Sequence, residues 1–187
     1  GRPNESPEPA DFVRAVLEVI QRHGMASRTT VQSFDWRMLS EVGRVAPDMP
    51  RSHLSAQRER FDTLSTGVWT QGLKLANFAD APSMVAAAGG KLWSPHHQDL
   101  SQPVLARARA LNLRVVPWTV NEIPDMGRLI DWGVDGIITD YPDRLRSVMQ
   151  RRGMELPPMV ELPIEQRAAA TLPVREPIPF GVAPDLR

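Results

Sequence analysis

Short apolar segments rich in β-branched residues alternate with segments of helical period along this chain, at intervals of roughly 20–40 residues. No other feature limits the fold as much. Phe12, Val13, Val16, Leu17, Val19 and Ile20 recur at helical spacing, and Gly24 follows as a stop. TTVQSF (29–34) reads as a strand, and Trp36, Leu39, Val42 and Val45 form the stripe of the next helix. SHLS (52–55) is a short strand, and the stretch to about residue 76 is read as loop with room for one helical turn. Asp80 and Pro82 start the helix PSMVAAA, which Gly89 and Gly90 end before a KLWS strand at 91–94. Ser101 is read as the cap of PVLARARAL; RVVPWTV (114–120) is a strand and MGRLIDW a helix stopped by Gly133. GIITD (136–140) is the last strand, ahead of a helix beginning near Pro142.

Strands separated by helices form parallel βαβ units, so the fold class is α/β. Strands such as RVVPWTV and GIIT are apolar on both faces, which fits a sheet covered by helices. Five such strands are compatible with a doubly wound sheet or with part of a (β/α)₈ barrel. Almost every strand ends in polar residues: Ser33 and Asp35, Ser55 and Gln57, Ser94 with His96 and His97, Thr119 and Asn121, Thr139 and Asp140. Barrel active sites are built at that edge, although residues leaving any strand for a loop tend to be polar. A nucleotide-binding doubly wound domain lacks support, because no G-x-G-x-x-G turn joins a strand to a helix.

The domain reading is a polar leader over residues 1–10, the βα array over 11–152, and an extended tail over 153–187 interrupted by seven prolines. The 22 basic and 22 acidic side chains balance, so nucleic acid is not an expected partner. There is no cysteine, which removes disulfides, thiolate metal sites and a thiol nucleophile. No apolar run approaches the roughly 18 residues of a membrane span.

Three stretches, VQSFDWRML (31–39), VVPWTVNE (115–122) and GVDGIITDYPDRL (133–145), resemble in order and spacing the second half of the glycerophosphodiester phosphodiesterase family, within the PLC-like phosphodiesterase superfamily. WSPHHQDL (93–100) sits where that family places its sixth strand. The resemblance covers residues 10–152 and implies the C-terminal part of a (β/α)₈ TIM barrel, about five βα units carrying strands four to eight. It also implies a hydrolase that cleaves glycerophosphodiesters to an alcohol and glycerol 3-phosphate, with two histidines moving protons and a carboxylate-held Ca²⁺ or Mg²⁺ on the phosphate. The family's His-Arg-Gly after the first strand, its acidic metal pair after the second, its inserted His and its Glu-x-Lys have no counterpart here. Arg22-His23-Gly24 has the wrong order and closes a helix, where His23 is a favourable charge.

The chain is therefore expected to carry no catalytic and no metal-ligating residue, to hold no metal by itself and to be inactive alone. Its expected partners are the glycerophosphodiester substrate and the missing N-terminal half. A half-barrel kept for binding or assembly is the alternative, although it exposes two sheet edges. Resemblance around VQSFDW points to periplasm or secretion.

Substrate-binding candidates are Trp118, Ser33, His96 and Asn121. The Trp118 indole either packs on glycerol carbons at the barrel mouth or fills the upper barrel layer. Ser33 is expected to line the pocket, while Asp35 caps the following helix and Asp140 is a turn residue. Asn121 caps a helix or touches ligand. His96 and His97 are neighbours on an extended chain and should point apart, so one at most faces the pocket. His53 has no evident role, and Arg58, Arg60 and Lys74 are expected to be solvated.

Overall fold

The computed structural model describes residues 7–158. Pro9 presets the helical φ angle at the first turn of α1 (Pro9–Arg22), whose Val13 and Leu17 are buried against Val42 of α2 (Trp36–Val45). Only part of the predicted stripe on α1 is covered, and Phe12 and Val19 stand 44% and 50% exposed. Between the two helices a 3₁₀ turn at Ala26–Arg28 leads into β1 (Val31–Ser33), which is shorter than TTVQSF. Asp35 caps α2, its carboxylate accepting from the Arg37 amide at 3.0 Å.

β2 (Arg51–Ser55) follows, and the segment read as loop instead folds back as a hairpin, β3 (Gln57–Arg58) against β4 (Phe61–Asp62). The Asp62 carboxylate accepts from the Leu64 and Ser65 amides, which turns the chain out of the hairpin. A 3₁₀ turn at Leu75–Asn77 precedes α3 (Ala81–Ala87), capped by Asp80 as its sequence predicts. β5 (Leu92–Pro95), α4 (Gln102–Ala110), β6 (Arg114–Val115), α5 (Ile123–Trp132) and α6 (Pro142–Arg151) complete the series. Ser101 occupies the cap position of α4 without a side-chain cap bond. Gly133 ends α5 at φ 78°, and Arg109 of α4 donates to the Trp132 and Gly133 carbonyls at that terminus.

The four strands of the main sheet run parallel in the order β1-β2-β5-β6, consecutive members pairing in register. The predicted strand 114–120 is interrupted at Pro117, which has no amide hydrogen to give; Trp118 resumes the pairing as a bridge to His96. Segment 136–140 is not a strand of the sheet. Bonds from Asp135 to Val115, Ile138 to Pro117 and Val120 to Ile138 nevertheless lay it alongside 115–120 in parallel order. It has no further neighbour among the described residues, so no second ladder extends it.

Register divides the side chains into two faces. Ser33, His53, Trp93 and Val115 share one row, and the last three are buried beneath the helices with Trp36, Leu39, Met84, Leu105 and Leu129. Leu54, Leu92, Val116 and Ile138 are half-buried and lie outside that core cluster. Helices therefore cover one face, not both as the apolar strands imply. On the other face the Ser52 and Ser94 hydroxyls, both buried, bond each other at 2.7 Å across β2 and β5. No helix among the described residues is long and apolar enough to cross a membrane.

His53 is 3% exposed and packs edge to face on Trp36. Burial first, then Arg51, lowers its pKa to about 4. An unfolded imidazole takes a proton near 6.5, so between the two values the unfolded state binds more protons. Stability present above about pH 6.5 is then lost as pH falls toward 4, by at most about 3 kcal/mol. The His53→Phe variant is expected to flatten urea-derived stability between pH 7 and 4.5; an unchanged slope would assign the titration to other groups.

Candidate functional site

The C-terminal ends of the strands gather a row of rings on the face that the helices leave uncovered. Phe34, the residue after β1, lies edge to face with Trp118 at a centroid distance of 5.3 Å and with Phe61 of β4 at 5.2 Å. Trp118 meets His96 at 5.2 Å, and His96 meets His97 at 4.9 Å. A flat sheet would separate the first and fourth strands by roughly 14 Å, three spacings of about 4.8 Å. Curl of the sheet and the inward reach of both rings close that gap.

Trp118 is held from several sides. Its indole nitrogen donates to the Ser94 carbonyl at 2.7 Å, and its own carbonyl accepts from the His97 amide at 2.7 Å. The ring is half-buried at the strand ends. His96 caps the 3₁₀ turn His97–Asp99, its Nδ1 accepting from the Gln98 amide. That turn brings the two imidazoles side by side instead of on opposite sides of an extended chain. Burial lowers the pKa of both, opposed at His96 by Asp99 and reinforced at His97 by His96. The His97 Nδ1 is buried without a hydrogen-bond partner, 4.0 Å from an Asp125 oxygen.

Ser33 stands in the helix-side row, and its hydroxyl accepts from the Asp35 amide at 3.0 Å. The adjacent Phe34 takes the pocket-facing place expected for Ser33. Asn121 does not cap α5, whose cap position is Glu122. Its amide donates to Asp140 at 2.9 Å, and its carbonyl oxygen accepts from the Thr139 hydroxyl and the Asp140 amide. Asn121 thus ties the loop after β6 to the loop before α6. Arg58 is paired as well as solvated, reaching Asp99 at 3.2 Å, while Asp99 also accepts from the Gln57 amide and so fastens the hairpin to the turn after β5.

The carboxylates at this edge are committed. Asp35 holds the Arg37 guanidinium through both oxygens, raising the pKa of that arginine, and Asp99 and Asp140 hold the partners just described. Among the described residues no three His, Cys, Asp or Glu side chains come together to hold a metal ion. The donor set at this mouth therefore does not fit a divalent cation.

In parallel βα barrels the active site lies at the C-terminal strand edge, which is where this chain gathers its aromatic and imidazole side chains. The chain belongs to the Glycerophosphoryl diester phosphodiesterase family, which its residues 2–144 match. A glycerophosphodiester phosphodiesterase of Bacillus subtilis (strain 168) is 27% identical over 131 residues, 70% of this chain and 40% of that protein. Among solved structures, a Silicibacter pomeroyi protein provisionally named a glycerophosphoryl diester phosphodiesterase superposes with a TM-score of 0.68 at 39% identity, covering 80% of this chain and 47% of its own. A glycerophosphodiester phosphodiesterase from Parabacteroides distasonis shares the fold at a TM-score of 0.61 and 22% identity, over 80% and 56% of the two chains. The chain spans about half the length of these relatives or less.

The Asn121 tie gives a measurable consequence. Asn121→Asp keeps the shape and sets a carboxylate against Asp140 where the amide now donates. At pH 7 and low salt the expected loss of stability is about 1–3 kcal/mol, shrinking as added salt screens the two charges. Denaturant melts at low and high salt check this, and an equal loss at each would remove the charge argument.

Proposed function

We propose that this chain is the C-terminal, substrate-cradling part of an enzyme that adds water across a glycerophosphodiester, releasing the alcohol and glycerol 3-phosphate. The observation that carries the reading is Trp118, held at the strand ends by an indole bond to Ser94 and backbone bonds to Pro95 and His97, between the rings of Phe34 and His96, in a chain of this family. An indole fixed in that way offers an apolar wall to glycerol carbons without spending side-chain entropy on binding. His96, kept neutral by burial at ordinary pH, serves as a hydrogen-bonding group beside that wall.

The proton-transferring histidines and the carboxylates for Ca²⁺ or Mg²⁺ belong, in this proposal, to three further βα units. These would pair with the free edge of β1, whose sole partner among the described residues is β2. Export to the periplasm or beyond is part of the same proposal and rests on the resemblance around VQSFDW.

The chain alone is expected to leave glycerophosphocholine intact with Ca²⁺ or Mg²⁺, and addition of the three βα units, in cis or in trans, to create chelator-sensitive hydrolysis. Hydrolysis by the chain alone above a protein-free blank would sink the proposal. In the completed enzyme, Trp118→Ala should raise KM by about fivefold to 150-fold, the weight of about 1–3 kcal/mol of lost apolar contact, with kcat nearly unchanged. An unchanged KM together with a large loss of thermal stability would make the indole a packing residue only.

A further inference from the structure

We propose that Arg58, carried by the β3–β4 hairpin, is a phosphoryl contact of the site at the mouth, its guanidinium binding the non-bridging oxygens of a phosphodiester or of the phosphomonoester released from it. The inference rests on the reading of that mouth as a glycerophosphodiester site, and it adds the residue that meets the charge.

The register of the hairpin places the side chain. Arg58 stands opposite Phe61 across β3 and β4, and residues opposite each other in an antiparallel pair project from the same face. Phe61 lies edge to face on Phe34, which in turn meets Trp118, so that face of the hairpin is turned toward the ring row. The guanidinium reaches the turn that follows β5, where one of its nitrogens meets Asp99 at 3.2 Å. Burial is the main cause of the lowered pKa of His96 and of His97, and the Arg58 charge lowers both further, so it lies within electrostatic reach of both rings.

Arg58 has donors to spare. A guanidinium carries five N–H groups in a planar fork. The contact with Asp99 is end-on and the side chain stays 45% exposed. Asp99, itself 9% exposed, divides its two oxygens between Arg58 and the Gln57 amide, so it aims the arginine without covering the fork. His96 adds a second donor: its Nδ1 accepts from the Gln98 amide, and the neutral ring therefore carries its proton on Nε2. A cationic fork and a neutral N–H beside the Trp118 wall match a phosphoryl group joined to a short carbon chain. Glycerol without the phosphoryl group answers only the wall.

The test is a titration of the full chain at pH 7 and low salt with glycerol 3-phosphate and with glycerophosphocholine, followed through the ring resonances of His96, with glycerol as the neutral control. A saturable shift with the phosphoryl compounds, and none with glycerol at the same concentrations, is the expected result; the tighter of the two names the resident ligand, diester or monoester. Arg58→Gln should weaken binding about tenfold, the weight of one charge-assisted hydrogen bond. Asp99→Asn keeps an oxygen for the Gln57 amide and releases the guanidinium, so it should tighten binding about threefold. Either substitution breaks the same ion pair, and an arginine that only fastened the hairpin would make both variants bind more weakly. Weakening by both would therefore overturn the inference, as would undiminished binding by the Arg58 variant, an equal shift with glycerol, or no saturable shift in the parent chain. The readout is binding to this chain, so it stands apart from hydrolysis by the completed enzyme, on which the function is judged.

Discussion

The pairing of β2 with β5 holds the rest of the structure in place. It joins Ser52 to Leu92 and runs to Ser55 and Pro95 in unbroken parallel register, with a bond between the Ser52 and Ser94 hydroxyls on one face and one from the Trp93 indole to the Ser55 hydroxyl on the other. Each hydroxyl is buried and each is satisfied by the neighbouring strand. A slip of one residue would strand both pairs and turn Trp93 out of the helix-side core. The same register fixes where β5 ends, hence where His96 begins its turn, and through the bridge to His96 where Trp118 stands. The ring row at the mouth is thus a consequence of three serines and a tryptophan in the middle of the sheet.

Coverage of a single face is the second constraint. Leu54, Leu92, Val116 and Ile138 lie half-buried on the face without helices, and each forgoes on the order of 1 kcal/mol of the burial available to an enclosed aliphatic side chain. A parallel sheet ordinarily has both faces covered. The apolar character of RVVPWTV and GIIT on both sides is a requirement that the described residues meet on one side only. Closure by further parallel strands would enclose these four side chains and pair the free edge of β1 at once, which is why the family's barrel architecture and the exposed aliphatic row support the same reading.

The order of elements was legible in the sequence because strand and helix differ in period, and Asp35, Asp80 and Gly133 mark their helices through local chemistry that needs no tertiary partner. What depended on pairing was not legible. Whether Ser33 or Phe34 faces the mouth is a question of parity, set by the register of β1 on β2 and invisible in β1 alone. The hairpin at 57–62 carries no two-residue glycine turn, and the Asp99 contacts that fasten it come from 41 and 42 residues away along the chain. Asn121 reads like a cap because it precedes a helix, and only the return of 139–140 beside it shows another use. His96 and His97 read as an extended pair, but the Gln98 amide bond to His96 starts a turn. A proline directly before two histidines was the one signal that could have warned of it.

The two faces of β2 show how one strand serves two different demands. Leu54 and Ser52 face the open side, where Leu54 is half-buried and the Ser52 hydroxyl pairs with that of Ser94. His53 and Ser55 face the helices, where Ser55 is satisfied by Trp93 but the His53 Nδ1 has no partner. Placing an imidazole there costs stability as soon as it is protonated, and an aliphatic residue would pack with less penalty. Its neutral form is tolerated because Trp36 stacks against its edge and Gly90 withholds a side chain.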